Sequence, residues 1–411
     1  MGNFFYSIFL FSYKLFLVLT SPFVEKAKLM LTGRKNWRAA IKQKFQENKE
    51  PVVWFHAASL GEFEQARPLI ELFNRNFPQY KILISFFSPS GYEIRKNYQP
   101  SFYICYLPFD SRKNASFFLD TINPSLVFFV KYEFWYYYSS EIKKRKLPML
   151  SFSAIFRKSQ VYFQWYGGFN RKILNNFTYF FVQNQESADL LNSIGIKNVE
   201  LAGDTRFDRV LEIASQRKEI QQIDRFKKNK KLFVCGSIWE SDLEVINELI
   251  ARLKESYTFI LAPHDISLQN LNAIKEKLNY PCNTHSDLEN EDGNFILLLN
   301  TMGMLASVYG YAEAAYIGGA FGKGLHNILE ASVYKIPVFF GNRNYKKFNE
   351  AVELANLGAA FPVSGGNEIA DRLNGLEGKE ESLEVIIRQY FESKRGATER
   401  IFYFSKKLLE A

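Results

Sequence analysis

The residues best suited to chemistry sit where apolar runs end. In "VVWFHAASLGEFEQA", Gly61 and Glu62 follow a buried run and precede a helical pattern, where α/β proteins often hold phosphate-binding glycines. A carboxylate there serves either as a stabilising charge in the first helical turn or as a proton acceptor. "VKYEFW" puts Glu133 and Trp135 just after the run ending at Val130, and "LAGDTRFDR" puts Arg206 in a turn beside Asp204 and Asp208. In the other half, "AAYIGGAFGKGLHNILEASVYKIPVFFG" reads as a strand ending at Ile317, a loop with glycines at 318, 319, 322 and 324, and a helix starting near His326 and Asn327. Main-chain N–H groups of such a loop and a helix amino terminus suit a phosphate, and Glu330, one turn in, suits a ribose diol. Without a ligand the same glycines make a packing turn.

Other chemistries lack their residues. The first strand of neither half is followed by G-x-G-x-x-G, and G-x-x-x-x-G-K-[ST] is absent, so a dinucleotide dehydrogenase or P-loop nucleotidase is poorly supported. His56, His264, His285 and His326 are scattered without zinc-ligand spacing. Cys105, Cys235 and Cys282 form no C-x-x-C and fit a reducing compartment. With no D-x-D, metal-assisted departure of a leaving group has no ligand set, so neither metal nor cofactor is expected.

These groups need a scaffold. Short apolar runs at 52–56, 81–86, 102–106, 126–130, 149–152 and 179–183 alternate with helical patterns at 64–76, 111–122 and 136–145. The alternation restarts with strands at 232–235, 258–262, 295–299, 315–317 and 338–340, and helices at 244–254, 268–278, 304–313, 325–334 and 350–356. Such alternation predicts parallel sheets with helices on both faces, hence two doubly wound α/β domains facing across a cleft, with ligands at the carboxyl ends of strands. The boundaries expected are 25–215 for the first domain, a charged linker "QRKEIQQIDRFKKNKK" at 216–231, and 232–411 for the second, whose last helices pack back on the first. An acidic loop at 287–292 is the one biased segment.

The chain of 411 residues carries 52 Lys and Arg against 43 Asp and Glu, a formal +9 that suits an anionic partner. No basic and aromatic stretch resembles a nucleic-acid module, so no nucleic acid is expected. Residues 4–23 are strongly apolar, with Asn3, Ser7, Lys14 and Ser21 on one narrow helical stripe. A helix over 1–24 of this kind predicts membrane association, either in the interface with that stripe facing water or spanning with Lys14 snorkelling. The basic run of Lys26, Lys28, Arg34, Lys35, Arg38, Lys42 and Lys44 then places the body on the cytoplasmic face. A signal peptide is disfavoured by the missing charged amino end and cleavage site, and a buried core helix is the bland alternative.

Taken in order and spacing, "WFHAASLGEFEQARPLIELF", "YEFW", "GDTRFD", "TMGMLASVYGYAEAAYIGGAF" and "GLHNILEASVYKIPVFFG" resemble the 3-deoxy-D-manno-octulosonic acid (Kdo) transferases of lipopolysaccharide assembly, over about residues 50 to 360. The resemblance implies a two-domain GT-B glycosyltransferase that moves Kdo from a CMP-Kdo donor to a phosphorylated lipid A precursor at the cytoplasmic face of the inner membrane. It implies Glu62 as catalytic base and Glu133 and Arg206 as stabilisers of the transition state. It implies donor contacts at Pro263, His264, Met302, Gly303, Met304, Asn327, Ile328, Leu329 and Glu330. This chain departs from the family pattern where Tyr132-Glu133-Phe134-Trp135-Tyr136 stands for the usual T-E-x-W-P, where Ala262-Pro263-His264 stands for Pro-Arg-His, and at Met304, usually Glu. Direct displacement with inversion is the mechanism expected, with the helix amino terminus favouring ionised Glu62. Another GT-B transferase with a different nucleotide sugar, or a non-enzymatic membrane-binding protein, are the alternatives.

Overall fold

The structure is a computed structural model describing residues 2–217, 219–227, 229–285, 294–322 and 324–410; the acidic loop and Lys323 lie outside the described residues. The chain forms two compact units, Met1–Arg209 with Arg395–Ala411, and Val210–Lys394.

The first unit is built on strands β1 (Val52–Ala57), β2 (Lys81–Phe86), β3 (Tyr103–Tyr106), β4 (Pro124–Val130), β5 (Met149–Ala154), β6 (Tyr179–Val182) and β7 (Val199–Leu201), in the order β3-β2-β1-β4-β5-β6-β7, all parallel. Both faces are covered, so these strands are continuous apolar runs. Trp54 and Phe129 point to one side with Phe118 and Tyr138. Phe55 and Phe128 stack on the other at 4.6 Å and meet Phe73 of the helix Leu60–Asn76. The final helix, Ala397–Glu410, packs on this same face through Phe402, 5.1 Å from Phe73, and Asp208 holds the helix start by accepting from the N–H of Gly396 and Thr398.

The second unit repeats the design with β8 (Lys231–Ile238), β9 (Tyr257–Pro263), β10 (Asn283–Thr284), β11 (Ile296–Leu298), β12 (Ala314–Ile317), β13 (Val338–Gly341) and β14 (Ala360–Val363), ordered β10-β11-β9-β8-β12-β13-β14 and again parallel. The segment expected as a linker holds a helix, Gln221–Lys227, with Ile223 and Phe226 buried. Two expected helices are much shorter. The one placed at 304–313 is Leu305–Val308 followed by a 3-10 turn, Tyr309–Tyr311. The one placed at 325–334 is Leu329–Ser332, because Asn327 Oδ1 accepts the N–H of Leu329 and delays the helix start.

The amino terminus forms helices Gly2–Thr20, Glu25–Thr32 and Trp37–Phe45. The first lies along the first unit, with Tyr6 donating to Asp110 (2.7 Å), Tyr13 stacked on Phe87 and Leu17 buried with Ala27 and Met30. Ser7, expected on a water-facing stripe, instead meets the Tyr137 hydroxyl at 2.6 Å. Phe4, Phe5, Phe9, Phe11, Phe16 and Leu19 are all exposed. Arg34 fastens the second helix: it is 7 % exposed, donates to the carbonyls of Met30, Phe87 and Leu107, and lies over the rings of Phe87, Tyr106 and Phe109. Burial pushes this guanidinium down to about 10, still charged at neutral pH. Arg34→Ala strips the donors from three carbonyls and is expected to lower stability by at least about 3 kcal/mol, read by denaturant unfolding of the first unit.

Candidate active site

Parallel strands end at one edge of a sheet, and a crevice opens where neighbouring strands send their connections to opposite faces. In the first sheet that point lies between β1 and β4. The connection after β1 carries Glu62 and that after β4 carries Glu133, so the topology brings together two carboxylates that the sequence separates by 71 positions.

Glu62 stands in the first turn of the helix Leu60–Asn76, where its Oε2 accepts the N–H of Ala58 at 2.5 Å. A side chain at Gly61 would meet nothing within 4 Å, and neither crowding nor a left-handed backbone demands glycine there. The missing side chain therefore leaves open space at the helix start, one residue before Glu62. Burial, and then the charge of Glu133, push the Glu62 carboxyl up to about 7, against the main-chain N–H groups and Lys131. This overturns the expectation from the helix dipole: desolvation and a like charge outweigh it.

Glu133 Oε2 accepts from Trp135 Nε1 (2.9 Å) and lies 3.2 Å from His56 Nε2. Arg206 opens the helix Thr205–Ser215 and is oriented by buried Asp204, through Nε (2.9 Å) and Nη2 (2.8 Å). Burial would raise the Asp204 carboxyl, but Arg206's charge and hydrogen bonds hold it below its ordinary value. Gln65 donates to Asp204 (3.0 Å) and its carbonyl accepts from Thr205, tying the helix of Glu62 to the turn of Arg206.

In the second unit the strand order reverses between β8 and β12. Here the glycine loop corrects the expectation of a free anion cradle. The N–H of Gly319 donates to Asp242 (3.0 Å), that of Gly318 to the Gly236 carbonyl, and those of Gly322 and Gly324 to the Gly319 carbonyl. Gly318 and Gly319 are required by packing: a side chain at Gly318 would lie 2.7 Å from Asp242 Oδ2, and Gly319 has φ +95. Asp242 also accepts from Trp239 N and the Tyr316 hydroxyl, both at 2.8 Å. Burial raises this carboxyl, and its three donors oppose the shift.

The expected donor residues fall into three places. Pro263 ends β9, and His264 after it stacks on Trp239 and on His326, each at 4.5 Å. Trp239 Nε1 donates to His326 Nε2 at 2.8 Å. Burial and His264 push His326 down to about 4, so its ring is neutral at neutral pH. Asn327 donates to Glu330 at 3.1 Å, while the side chains of Ile328 and Leu329 are fully buried, leaving only their main chain to meet a ligand. Met302, 71 % exposed, Gly303 and Met304 occupy the turn after β11, where Thr301 donates to the Met304 sulfur. Sequence reading missed Trp239 and His326 as ring partners of His264, Asp242 as the loop's own anion, and Lys347, whose amine lies beside Gly324. "WESD" and "NYKK" hold three of them, without a spacing that announces a site.

Residues 35–209, which contain Glu62, Glu133 and Arg206, match the family of 3-deoxy-D-manno-octulosonic-acid transferases. The match lies within the first unit and takes in less than half of the chain. Relatives extend the likeness over both units: the Kdo transferase of Rickettsia bellii is 26 % identical over 94 % of each chain, and that of Aquifex aeolicus 28 % identical over 82 % of this chain and 90 % of its own. A bifunctional glycosyltransferase/methyltransferase of Fusobacterium nucleatum is 28 % identical over 93 % of this chain, which spans 60 % of that longer protein. Among solved structures, UDP-GlcNAc 2-epimerase from Neisseria meningitidis aligns with a TM-score of 0.58 at 15 % identity, covering 84 % of this chain and 95 % of the epimerase. The wall teichoic acid polymerase TagF gives 0.52 at 14 %, over 97 % and 98 %. These two share the fold, the GT-B arrangement of two parallel α/β sheets.

A carboxyl titration checks the electrostatics of the first unit without any substrate. Carbon-13 NMR of Glu62 is expected to give a midpoint near 7, and Glu133→Gln, which removes the like charge, to lower it.

Proposed function

We propose that the protein transfers Kdo from CMP-Kdo to a phosphorylated lipid A precursor, with inversion, in lipopolysaccharide core synthesis. The observation that carries this reading is Glu62: a carboxyl held near pKa 7 in the first helical turn after β1, inside the region that matches the Kdo transferases. A base with that pKa is half ionised at neutral pH and far more basic than an exposed carboxylate, as general-base catalysis requires. In the proposed step Glu62 takes the proton of the attacking acceptor hydroxyl, the new C–O bond forms at the Kdo anomeric carbon, and the bond to the CMP phosphate breaks. Glu133 and Arg206 stabilise the transition state, Arg206 with its fork already fixed by Asp204. The donor is assigned to the second unit, where His264 brings an aromatic stack and Asn327–Glu330 a hydrogen-bonding pair; the main chain of Ile328 and Leu329, with Met302, Gly303 and Met304, completes the proposed contacts.

Glu62→Gln keeps the shape and removes the base. Transfer in membrane fractions supplied with CMP-Kdo and phosphorylated lipid A precursor is expected to fall about 100- to 10,000-fold, with product mass as readout. Native-rate transfer by a folded Glu62→Gln protein rejects the assignment, and competition by UDP rather than CMP points to another donor. For the native enzyme, kcat/KM rises with pH through about 7 and then levels, since only ionised Glu62 accepts the proton.

The proposed location is the cytoplasmic face of the inner membrane, with the helix Gly2–Thr20 lying in the interface. Its contacts with the first unit run along its length, from Tyr6 to Leu17, which supports an in-plane anchor over a span. Trp165, 90 % exposed, and Tyr166 precede Phe169, which packs on Tyr6, and extend the surface with rings suited to the headgroup layer. Replacing exposed Phe9 and Phe16 by Asp is expected to weaken flotation with anionic vesicles by about tenfold or more without lowering thermal stability.

A further inference from the structure

Behind Glu133 lies a chain of buried polar groups to which no role has been given. Alternation along β1 turns Trp54 and His56 to the same face, and the register sets His56 against Ser85 of β2. Trp54 Nε1 donates to Ser85 Oγ at 2.7 Å. Ser85 Oγ in turn lies 2.8 Å from His56 Nδ1, and on the far side of the ring His56 Nε2 lies 3.2 Å from Glu133 Oε2. Trp54, His56 and Ser85 are all fully buried. Polar groups placed in a sheet otherwise filled with Phe, Ile and Leu are costly unless each finds a partner, and here each does.

Proton counting gives the chain a direction. A carboxylate only accepts, so the ring proton that meets Glu133 sits on Nε2, and the Ser85 hydroxyl, which already accepts from Trp54, then donates to Nδ1. The opposite tautomer, with Nδ1–H on the Ser85 carbonyl (3.1 Å) and Nε2 accepting from Trp135 Nε1 (3.3 Å), would set Nε2 and the Glu133 carboxylate face to face as two acceptors. His56 and Trp135 thus converge on Oε2, and Oε1 receives no hydrogen bond from a described residue. One oxygen is pinned and the other is presented.

We propose that His56 is a positioning residue whose Nε2–H, oriented by Ser85 and Trp54, fixes Glu133 for the transfer reaction. The proposal rests on Glu133 belonging to the active site, so its test has one arm that needs no reaction. In full-length protein carrying nitrogen-15 histidine, long-range proton–nitrogen spectra, assigned through the signal lost in His56→Gln, are expected to show His56 protonated at Nε2, with that resonance moving in Glu133→Gln. A ring protonated at Nδ1 alone overturns the proposal. In the second arm His56→Gln, which sets an amide N–H near the place of Nε2, is expected to keep kcat within about threefold of native. His56→Asn, which reaches only the Ser85 side, is expected to lose about 10- to 100-fold in kcat with the KM for CMP-Kdo little changed. Equal kcat values for the two variants overturn the positioning role. Should His56→Asn fail to fold, Ser85→Ala, which removes only the hydroxyl that sets the tautomer, takes its place: a several-fold loss of kcat is expected, and native kcat in folded protein overturns the relay. No Kdo transfer by the native protein, with the Nε2–H signal intact, rejects the proposed reaction and leaves the hydrogen-bond geometry standing.

Discussion

Every strand pairing in both sheets is parallel, and that constraint governs the rest of the structure. Parallel strands need crossovers, crossovers cover both faces, and both faces must then be apolar. Polar side chains are left with the strand ends. Where the order reverses, at β1/β4 and again at β8/β12, two such ends stand side by side without a helix over them. Glu62 and Glu133 occupy one of these positions, and the Trp239–Asp242 turn with the glycine loop occupies the other.

At both points a carboxylate is partly withdrawn from water, with different results. Glu62 gains few donors and a like-charged neighbour, so its proton is held to near neutrality. Asp242 gains three donors, among them a glycine N–H that would otherwise be open to an anion. One carboxyl is left to titrate near neutrality; the other is spent on holding a loop in shape. Asp204 shows a third outcome, in which a single well-oriented arginine outweighs complete burial.

Much of this was legible in the sequence, for identifiable reasons. The long apolar runs of β1, β2, β4, β5, β8 and β9 declare themselves because strands buried on both faces contain little else. The two-residue β10 and the edge strand β14, with Pro362 inside it, carry no such signal. Helix length failed where side chains compete with the main chain, as Asn327 does before Leu329. The candidate carboxylates were visible because a Gly-Glu pair at a strand end is conspicuous. Their mutual distance was not, since it depends on strand order, and so the sign of the Glu62 shift was misjudged. His56 looked like one scattered histidine among four; only the register of β1 against β2 shows it facing Ser85.

The first helix is fastened to the same stretch of chain that carries Glu133. Asp110, which accepts from Tyr6, also accepts the N–H of Tyr137 and Tyr138, and the Tyr6 hydroxyl accepts that of Tyr136. These bonds close the start of the helix Tyr136–Lys144, three residues beyond Glu133. Trimming the apolar amino terminus to make the protein easier to handle would therefore do more than improve solubility. It would leave Asp110 and the Tyr136 N–H short of a partner three residues from Glu133, and any loss of function in the truncated protein would report on that damage rather than on a need for lipid.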